Sequence, residues 1–88
     1  MDAERVAEIL DTERAIVIGS KTTIFGVSKE LAEELFRLIE LMVPFDGSIG
    51  YAVVNGESLV FQRGIETIIA FVDDDRIMGS IRRLSGNV

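Results

Sequence analysis

The sequence predicts an α+β fold, in which a five-stranded, mainly antiparallel sheet forms in the element order α-β-β-α-β-β-β, followed by a short C-terminal helical tail. Three observations lead to this prediction. Residues 28–44 carry apolar side chains at three- and four-residue spacing, as a long amphipathic helix does. Short runs rich in β-branched and aromatic residues flank this helix on both sides. Turn sequences join these runs, which makes the joined strands antiparallel.

The composition limits the size and the class of the protein. The 88 residues suit a single domain, 1–88, and a hydrophobic share of 48% must supply its stability because the chain has no cysteine. The lack of cysteine and histidine excludes the commonest zinc and thiol chemistry and the commonest general base. A net charge of −6 argues against nucleic acid as a partner. Few asparagines and glutamines are compatible with a thermostable protein.

Membrane insertion and catalysis are not expected. No run approaches the roughly 20 apolar residues that cross a bilayer, and residues 1–4 lack the basic start of a signal peptide. We therefore expect a cytoplasmic protein. Residues 18–23, I-G-S-K-T-T, imitate a phosphate-binding loop but lack its first glycine and its following helix. The serines and threonines have no convincing base partner, so we expect no enzyme.

The two helices before the middle of the chain have clear start signals. Asp2 can cap a short helix that ends near residues 11–12, and Ser28 can cap the long helix that Pro44 ends. The short helix has an apolar face formed by Ala3, Val6, Ala7 and Leu10. The long helix has a wider apolar face, formed by Leu31, Ala32, Leu35, Phe36, Leu38, Ile39, Met42 and Val43.

Two hairpins are predicted, one on each side of the long helix. Residues 15–18 and 22–27 form the first, joined by a tight turn at Gly19-Ser20 with positive φ. Residues 49–54 and 57–62 form the second, because Asn55-Gly56 is a strong signal for a type I′ turn. This turn places Val54 opposite Glu57 and leaves both faces of the hairpin mostly apolar.

The last strand is predicted over residues 65–72, also with two mostly apolar faces, and three aspartates end it. Residues 77–84 have helical spacing, but Gly79 and Gly86 favour only a short, weak helix or a docked tail. The first helix and this tail are thin cover for a sheet that is apolar on both faces. We therefore predict that a second copy of the chain covers part of one face or an edge strand.

The acidic residues at the strand ends are the candidate metal ligands. If the last strand pairs with the first, five carboxylates come to one end of the sheet: Asp73, Asp74, Asp75, Asp11 and Glu13. Glu57, beside the second hairpin turn, lies at the same end. Oxygen ligands of this kind suit Ca²⁺, although the spacing is not that of an EF-hand. The alternative interpretation is that the aspartates only protect an aggregation-prone strand end.

Residues 49–84, a three-stranded meander that ends in an acidic turn and the helix start D-R-I-M-G, resemble the second half of a roadblock-type (longin- or profilin-like) domain. That resemblance implies dimerisation through a sheet edge and the central helix, and a role as a platform for protein partners. The element order, acidity and lack of cysteine and histidine also resemble a small archaeal family for which calcium binding by acidic loops has been proposed. This second resemblance implies a Ca²⁺ cofactor.

Two functions therefore follow as expectations. The first is a non-enzymatic, small acidic binding module with weak calcium binding at Asp73 to Asp75. The alternative is a roadblock-like homodimeric platform for protein interaction. The first requires converging carboxylates, whereas the second requires an exposed apolar edge or helix face.

Overall fold

The computed structural model describes residues 1–43 and 46–87. Pro44, the predicted end of the long helix, and Phe45 in the predicted loop lie outside these residues. The elements follow the chain in this order: α1 (Ala3–Leu10), β1 (Ala15–Ile18), β2 (Thr22–Phe25), α2 (Lys29–Met42), β3 (Ile49–Val54), β4 (Glu57–Gln62), β5 (Thr67–Phe71), a 3₁₀ turn (Asp74–Arg76) and α3 (Ile77–Asn87).

The five strands form one sheet in the order β2-β1-β5-β4-β3, and every neighbouring pair is antiparallel. The predicted fold class and element order are therefore confirmed. The central position of β5 explains its composition, because all five of its residues are buried. β2 and β3 are the two edge strands.

Each face of the sheet has its own apolar core. On one face, α2 buries Ala32, Leu35 and Ile39 against the sheet residues Ile16, Ala52, Leu59, Phe61, Ile69 and Phe71. On the other face, α1 and α3 cover Ala15, Val17, Val60, Ile68, Ala70 and Val72. Because successive side chains of a β-strand point to opposite faces, the side chains of β1, β4 and β5 are divided between the two cores. This arrangement confirms the prediction that these strands are apolar on both faces.

The helix starts form as predicted. The Asp2 side chain accepts a hydrogen bond from the Arg5 amide at 2.9 Å, and Ser28 Oγ accepts one from the Leu31 amide at 3.1 Å. These side chains satisfy amides that have no partner within the helix. The α1 residues Ala3, Val6, Ala7 and Leu10 are all buried, as their spacing predicts.

The second hairpin also forms as predicted. Asn55 has φ 53° and Gly56 has φ 78°, so both turn residues have the positive φ that a type I′ turn requires. Val54 lies opposite Glu57.

The predicted turn of the first hairpin is wrong. Ile18 pairs with Thr22, which leaves three residues in the turn, and Gly19 does not have positive φ. The Gly19 amide instead donates to the Lys21 carbonyl at 3.2 Å. Because the turn is longer than two residues, the φ requirement of a two-residue turn does not apply.

Three element boundaries differ from the predictions. β2 ends at Phe25 rather than at residue 27, because Gly26 has φ 69° and leaves the strand conformation. β5 begins at Thr67, since Ile65 is fully exposed and has no place in the sheet. α3 is 11 residues long despite its glycines. Packing of Leu84, which is 2% exposed, stabilises this helix beyond its low intrinsic propensity.

Candidate functional site

One end of the sheet carries a polar cleft of about 780 Å³, which we call the acidic cleft. β1 begins at this end and β5 ends there, because the two strands pair antiparallel with Ala15 opposite Ala70. The tip of the β3–β4 hairpin lies at the same end. The structure therefore brings together all the acidic residues that the sequence assigns to it: Asp11, Glu13, Glu57, Asp73, Asp74 and Asp75.

Three of these carboxylates already have protein partners. Ser58 Oγ donates a hydrogen bond to the Asp74 carboxylate. Arg14 Nη1 lies 2.8 Å from Glu57 Oε2, and Arg76 Nη2 lies 3.8 Å from Asp11 Oδ2. Two arginines therefore offset part of the negative charge of the acidic cleft.

Glu13, Asp73 and Asp75 are exposed to solvent at the same end. Within residues 1–43 and 46–87, no group of three or more acidic side chains has an arrangement that could hold a metal ion. The shared location was predicted from the sequence on the condition that β1 pairs with β5, and that pairing is present. Calcium binding itself stays a prediction.

Arginine side chains fix the elements that form the acidic cleft. Arg76 donates to the carbonyls of Leu10 and Asp11, at the C-terminal end of α1. Such carbonyls have no partner within the helix, and a cation is favourable there. The Arg14 guanidinium lies 4.2 Å from the centroid of the Phe71 ring, which is a cation–π distance. Both arginines therefore join α1 and β1 to the segment around β5.

The sequence analysis missed two polar residues of the acidic cleft. Ser58 is buried in β4 beside Asp74, and Thr12 Oγ1 donates to the Phe71 carbonyl at 2.5 Å. A signal for Ser58 exists in the sequence, because it is a small polar residue beside the apolar run 59–61. Its partner Asp74 lies 16 positions further along the chain and only the pairing of β4 with β5 brings the two together.

A second surface, which we call the β3 surface, lies along the edge of the sheet. On β3, Tyr51 is 58% exposed and Val53 is 63% exposed, both on the face that α3 covers in part. On the other face, Leu41 and Met42 of α2 are 82% and 54% exposed. At about 100° per residue, Met42 lies on the opposite flank of α2 from Phe36, which contacts the β1–β2 side. Leu41 lies on the outer side of the helix, about 150° from the centre of its buried face.

The C-terminal end of α2 is fixed next to the start of β3. Arg63, which follows β4, donates to the carbonyls of Glu40 and Val43. The preceding residue, Gln62, lies opposite Ile49 at the start of β3. The C-terminal end of α2 therefore lies near the start of β3.

These features define a small α+β protein whose five-stranded antiparallel sheet has one helix on one face and two on the other, with an acidic cleft at one end and an apolar edge. An "uncharacterized protein" of Archaeoglobus fulgidus is 31% identical to the chain over 85 residues, which are 96% of this chain and 92% of the archaeal protein. The chain belongs to the same family as that protein. No protein-family model and no solved structure matches the chain.

The relationship to an archaeal protein supports the coarser part of the resemblance drawn from the sequence, a small archaeal protein. Calcium binding and the roadblock resemblance stay predictions. Among residues 1–43 and 46–87, no helix has both the length and the apolar character that a membrane span requires.

Proposed function

We propose that the protein is a non-enzymatic binding module that acts as a homodimer, with the β3 surface as the contact between the two copies. The observation that carries this proposal is the unprotected edge of β3. Its sequence I-G-Y-A-V-V contains no charged residue and no proline, although natural edge strands commonly use such residues to prevent pairing. Tyr51 and Val53 are exposed on one face of this edge.

The edge of β3 is suited to pairing with itself. If β3 pairs antiparallel with β3 of a second copy about a two-fold axis at Ala52, Tyr51 lies opposite Val53 of the second copy. The two-fold axis creates this pair twice. Aromatic and β-branched residues are favourable cross-strand neighbours, each pair contributing about 0.2 to 1 kcal/mol.

A homodimer of this kind agrees with the roadblock resemblance, which implies contacts through a sheet edge and the central helix. Helices of the same chain cover both faces of the sheet, so the proposal depends on the exposed edge of β3. The resulting ten-stranded sheet would leave both acidic clefts open to solvent.

The experiment is sedimentation equilibrium at micromolar concentration, with two variants that change charge equally. The expected mass of the unaltered protein is twice the 9.7 kDa of one chain. Val53→Lys should be monomeric, because a lysine on an edge strand opposes pairing of that edge with another strand. Ile65→Lys, a change at a fully exposed residue in the connection between β4 and β5, should remain dimeric. A monomeric mass for the unaltered protein would contradict the proposal.

Weak calcium binding in the acidic cleft is a second candidate function. The observation that favours it is the gathering of Asp11, Glu13 and residues 73–75 around one cleft. Ca²⁺ takes six to eight oxygen ligands, and weak sites bind at about 10⁻⁴ to 10⁻³ M. Because no three acidic side chains of the described residues converge, a Ca²⁺ ion in the acidic cleft would take one or two of these carboxylates and complete its shell with backbone carbonyls and water, which is consistent with weak binding.

A titration of the ¹⁵N-labelled protein with Ca²⁺, with Mg²⁺ at equal ionic strength as control, tests the calcium proposal. Saturable amide shifts centred on Asp73 to Asp75 and absent with Mg²⁺ are expected. Replacement of all three aspartates by asparagine should abolish them. Small, uniform shifts with both ions would indicate charge screening and count against a site.

A further inference from the structure

Asn55 and Gly56, the two central residues of the turn between β3 and β4, form the only Asn-Gly pair in the sequence. Both residues are exposed, and a Cβ atom at Gly56 would meet nothing within 4 Å. An Asn-Gly pair has a chemistry of its own, because glycine has no side chain to hinder the approach of its amide nitrogen to the asparagine side chain. Water reaches both residues in this turn.

The reaction open to this pair is deamidation, and water is its only co-reactant. A bond forms between the Gly56 nitrogen and Asn55 Cγ, and the bond from Cγ to Nδ2 breaks. Nδ2 leaves as ammonia, with the proton of the Gly56 amide. Water then opens the cyclic imide. Hydrolysis of the bond to Cγ gives aspartate, and hydrolysis of the bond to the main-chain carbonyl carbon gives isoaspartate.

The closed turn keeps the two reacting atoms apart. Asn55 has φ 53° and Gly56 has φ 78°, and the first central residue of a type I′ turn has ψ of about +30°. Ring closure needs ψ of about −120°, because only then does the Gly56 nitrogen eclipse Cβ of an L-residue. At positive φ, this ψ lies outside the regions that a residue other than glycine adopts. The turn must therefore open before the imide can form.

Contacts on both strands hold the turn closed. Val54 and Glu57 are the pair that closes it. Val54 packs against the core on the α2 face, and Glu57 Oε2 lies 2.8 Å from Arg14 Nη1 on the segment that leads into β1. We infer that Asn55 is a site of spontaneous deamidation, and that opening of the β3–β4 turn sets the rate of the reaction.

The two products differ in their effect on the hairpin. Aspartate at position 55 leaves the turn intact, because Asp-Gly also favours type I′. Isoaspartate adds a carbon atom to the main chain, so the two-residue turn that places Val54 opposite Glu57 is lost. Either product adds one negative charge at the end of the sheet that carries the acidic cleft. The inference depends on neither the proposed homodimer nor the proposed calcium site.

The experiment compares the folded protein with an end-blocked peptide of residues 53–58 in the same mildly alkaline buffer. The peptide is too short to form a stable hairpin, so it reports the unprotected rate. Mass spectrometry of proteolytic fragments detects the gain of about 1 Da at Asn55. The protein should react at least about tenfold more slowly than the peptide, because only the open turn reacts. A faster reaction in the protein, or no gain of mass in the peptide, would overturn the inference.

Three variants test the role of the turn. Val54→Ala removes apolar contacts of the closing pair, so its rate relative to a matched peptide should rise at least twofold. Ile65→Lys, at a fully exposed residue in the connection between β4 and β5, should react as the unaltered protein does. The corresponding fragment of Asn55→Asp should gain no mass. An unchanged rate in Val54→Ala, an equal increase in Ile65→Lys, or a gain of mass in Asn55→Asp would contradict the inference.

Discussion

Replacement of Gly26 by alanine tests the glycine at which an added Cβ atom would meet another part of the backbone most closely. Gly26 follows β2 and has φ +69°. A Cβ atom at this position would lie 2.0 Å from the carbonyl oxygen of Glu13, on the segment that leads into β1. Such atoms are rarely closer than about 3 Å without a shift of the backbone. The alanine variant must therefore displace the base of the β1–β2 hairpin, where Ala15 lies opposite Phe25.

Two costs contribute to the expected loss of stability. A non-glycine residue in the left-handed region costs about 1 to 2 kcal/mol. Displacement of a packed backbone adds a cost like that of overpacking, about 1 to 3 kcal/mol. The expected loss is therefore about 3 kcal/mol, a large part of the roughly 5 to 15 kcal/mol by which domains are stable. At about 4 to 8 °C per kcal/mol, Tm should fall by roughly 12 to 24 °C.

Urea unfolding followed by circular dichroism provides the measurement, and Gly56→Ala is the matched control. Gly56 also has positive φ, +78°, but a Cβ atom there would meet nothing within 4 Å. Gly56→Ala should therefore lower the free energy of unfolding only by the cost of a non-glycine residue at positive φ, about 1 to 2 kcal/mol. If the two variants lose the same free energy of unfolding within about 0.5 kcal/mol, the contact between residue 26 and Glu13 does not limit stability, and the reasoning is refuted.

Three further predictions concern charge. Arg76→Ala should lower the free energy of unfolding by about 1 to 2 kcal/mol, because the carbonyls of Leu10 and Asp11 lose a charged donor. Arg82→Ala, the control at an exposed position, should change the free energy of unfolding by less than about 0.5 kcal/mol in the same urea titration. The proposed dimer should be tighter in about 0.3 M NaCl than in about 0.02 M, because salt screens the repulsion between two chains of charge −6. Sedimentation at both salt concentrations checks this, and weaker association at high salt would count against an apolar interface. Ca²⁺ at about ten times its Kd should stabilise the protein by about 1.4 kcal/mol in a thermal melt, and an equal effect of Mg²⁺ would contradict selective binding.

The parts of the fold that depend on local signals were predictable from the sequence. Asp2 and Ser28 cap the helices that their positions predict, because a cap needs only the amides two or three residues further on. Asn55-Gly56 sets the register of β3 and β4, because few residue pairs adopt positive φ at both positions. The first hairpin turn was not predictable in the same way, because a three-residue turn has a weaker sequence signal than Asn-Gly.

Long-range contacts decided the assembly of the acidic cleft and the length of α3. The sequence determined which carboxylates follow or precede strands, and hence that Asp73 to Asp75 lie at a strand end. Only the pairing of β1 with β5 placed Asp11 and Glu13 beside them. Arg76 contacts the end of α1 across 65 positions of sequence, and packing of Leu84 makes α3 a helix of 11 residues despite two glycines. Local sequence specifies caps and turns because their partners are a few residues away, whereas a cleft or a packed helix depends on segments that only the folded sheet brings together.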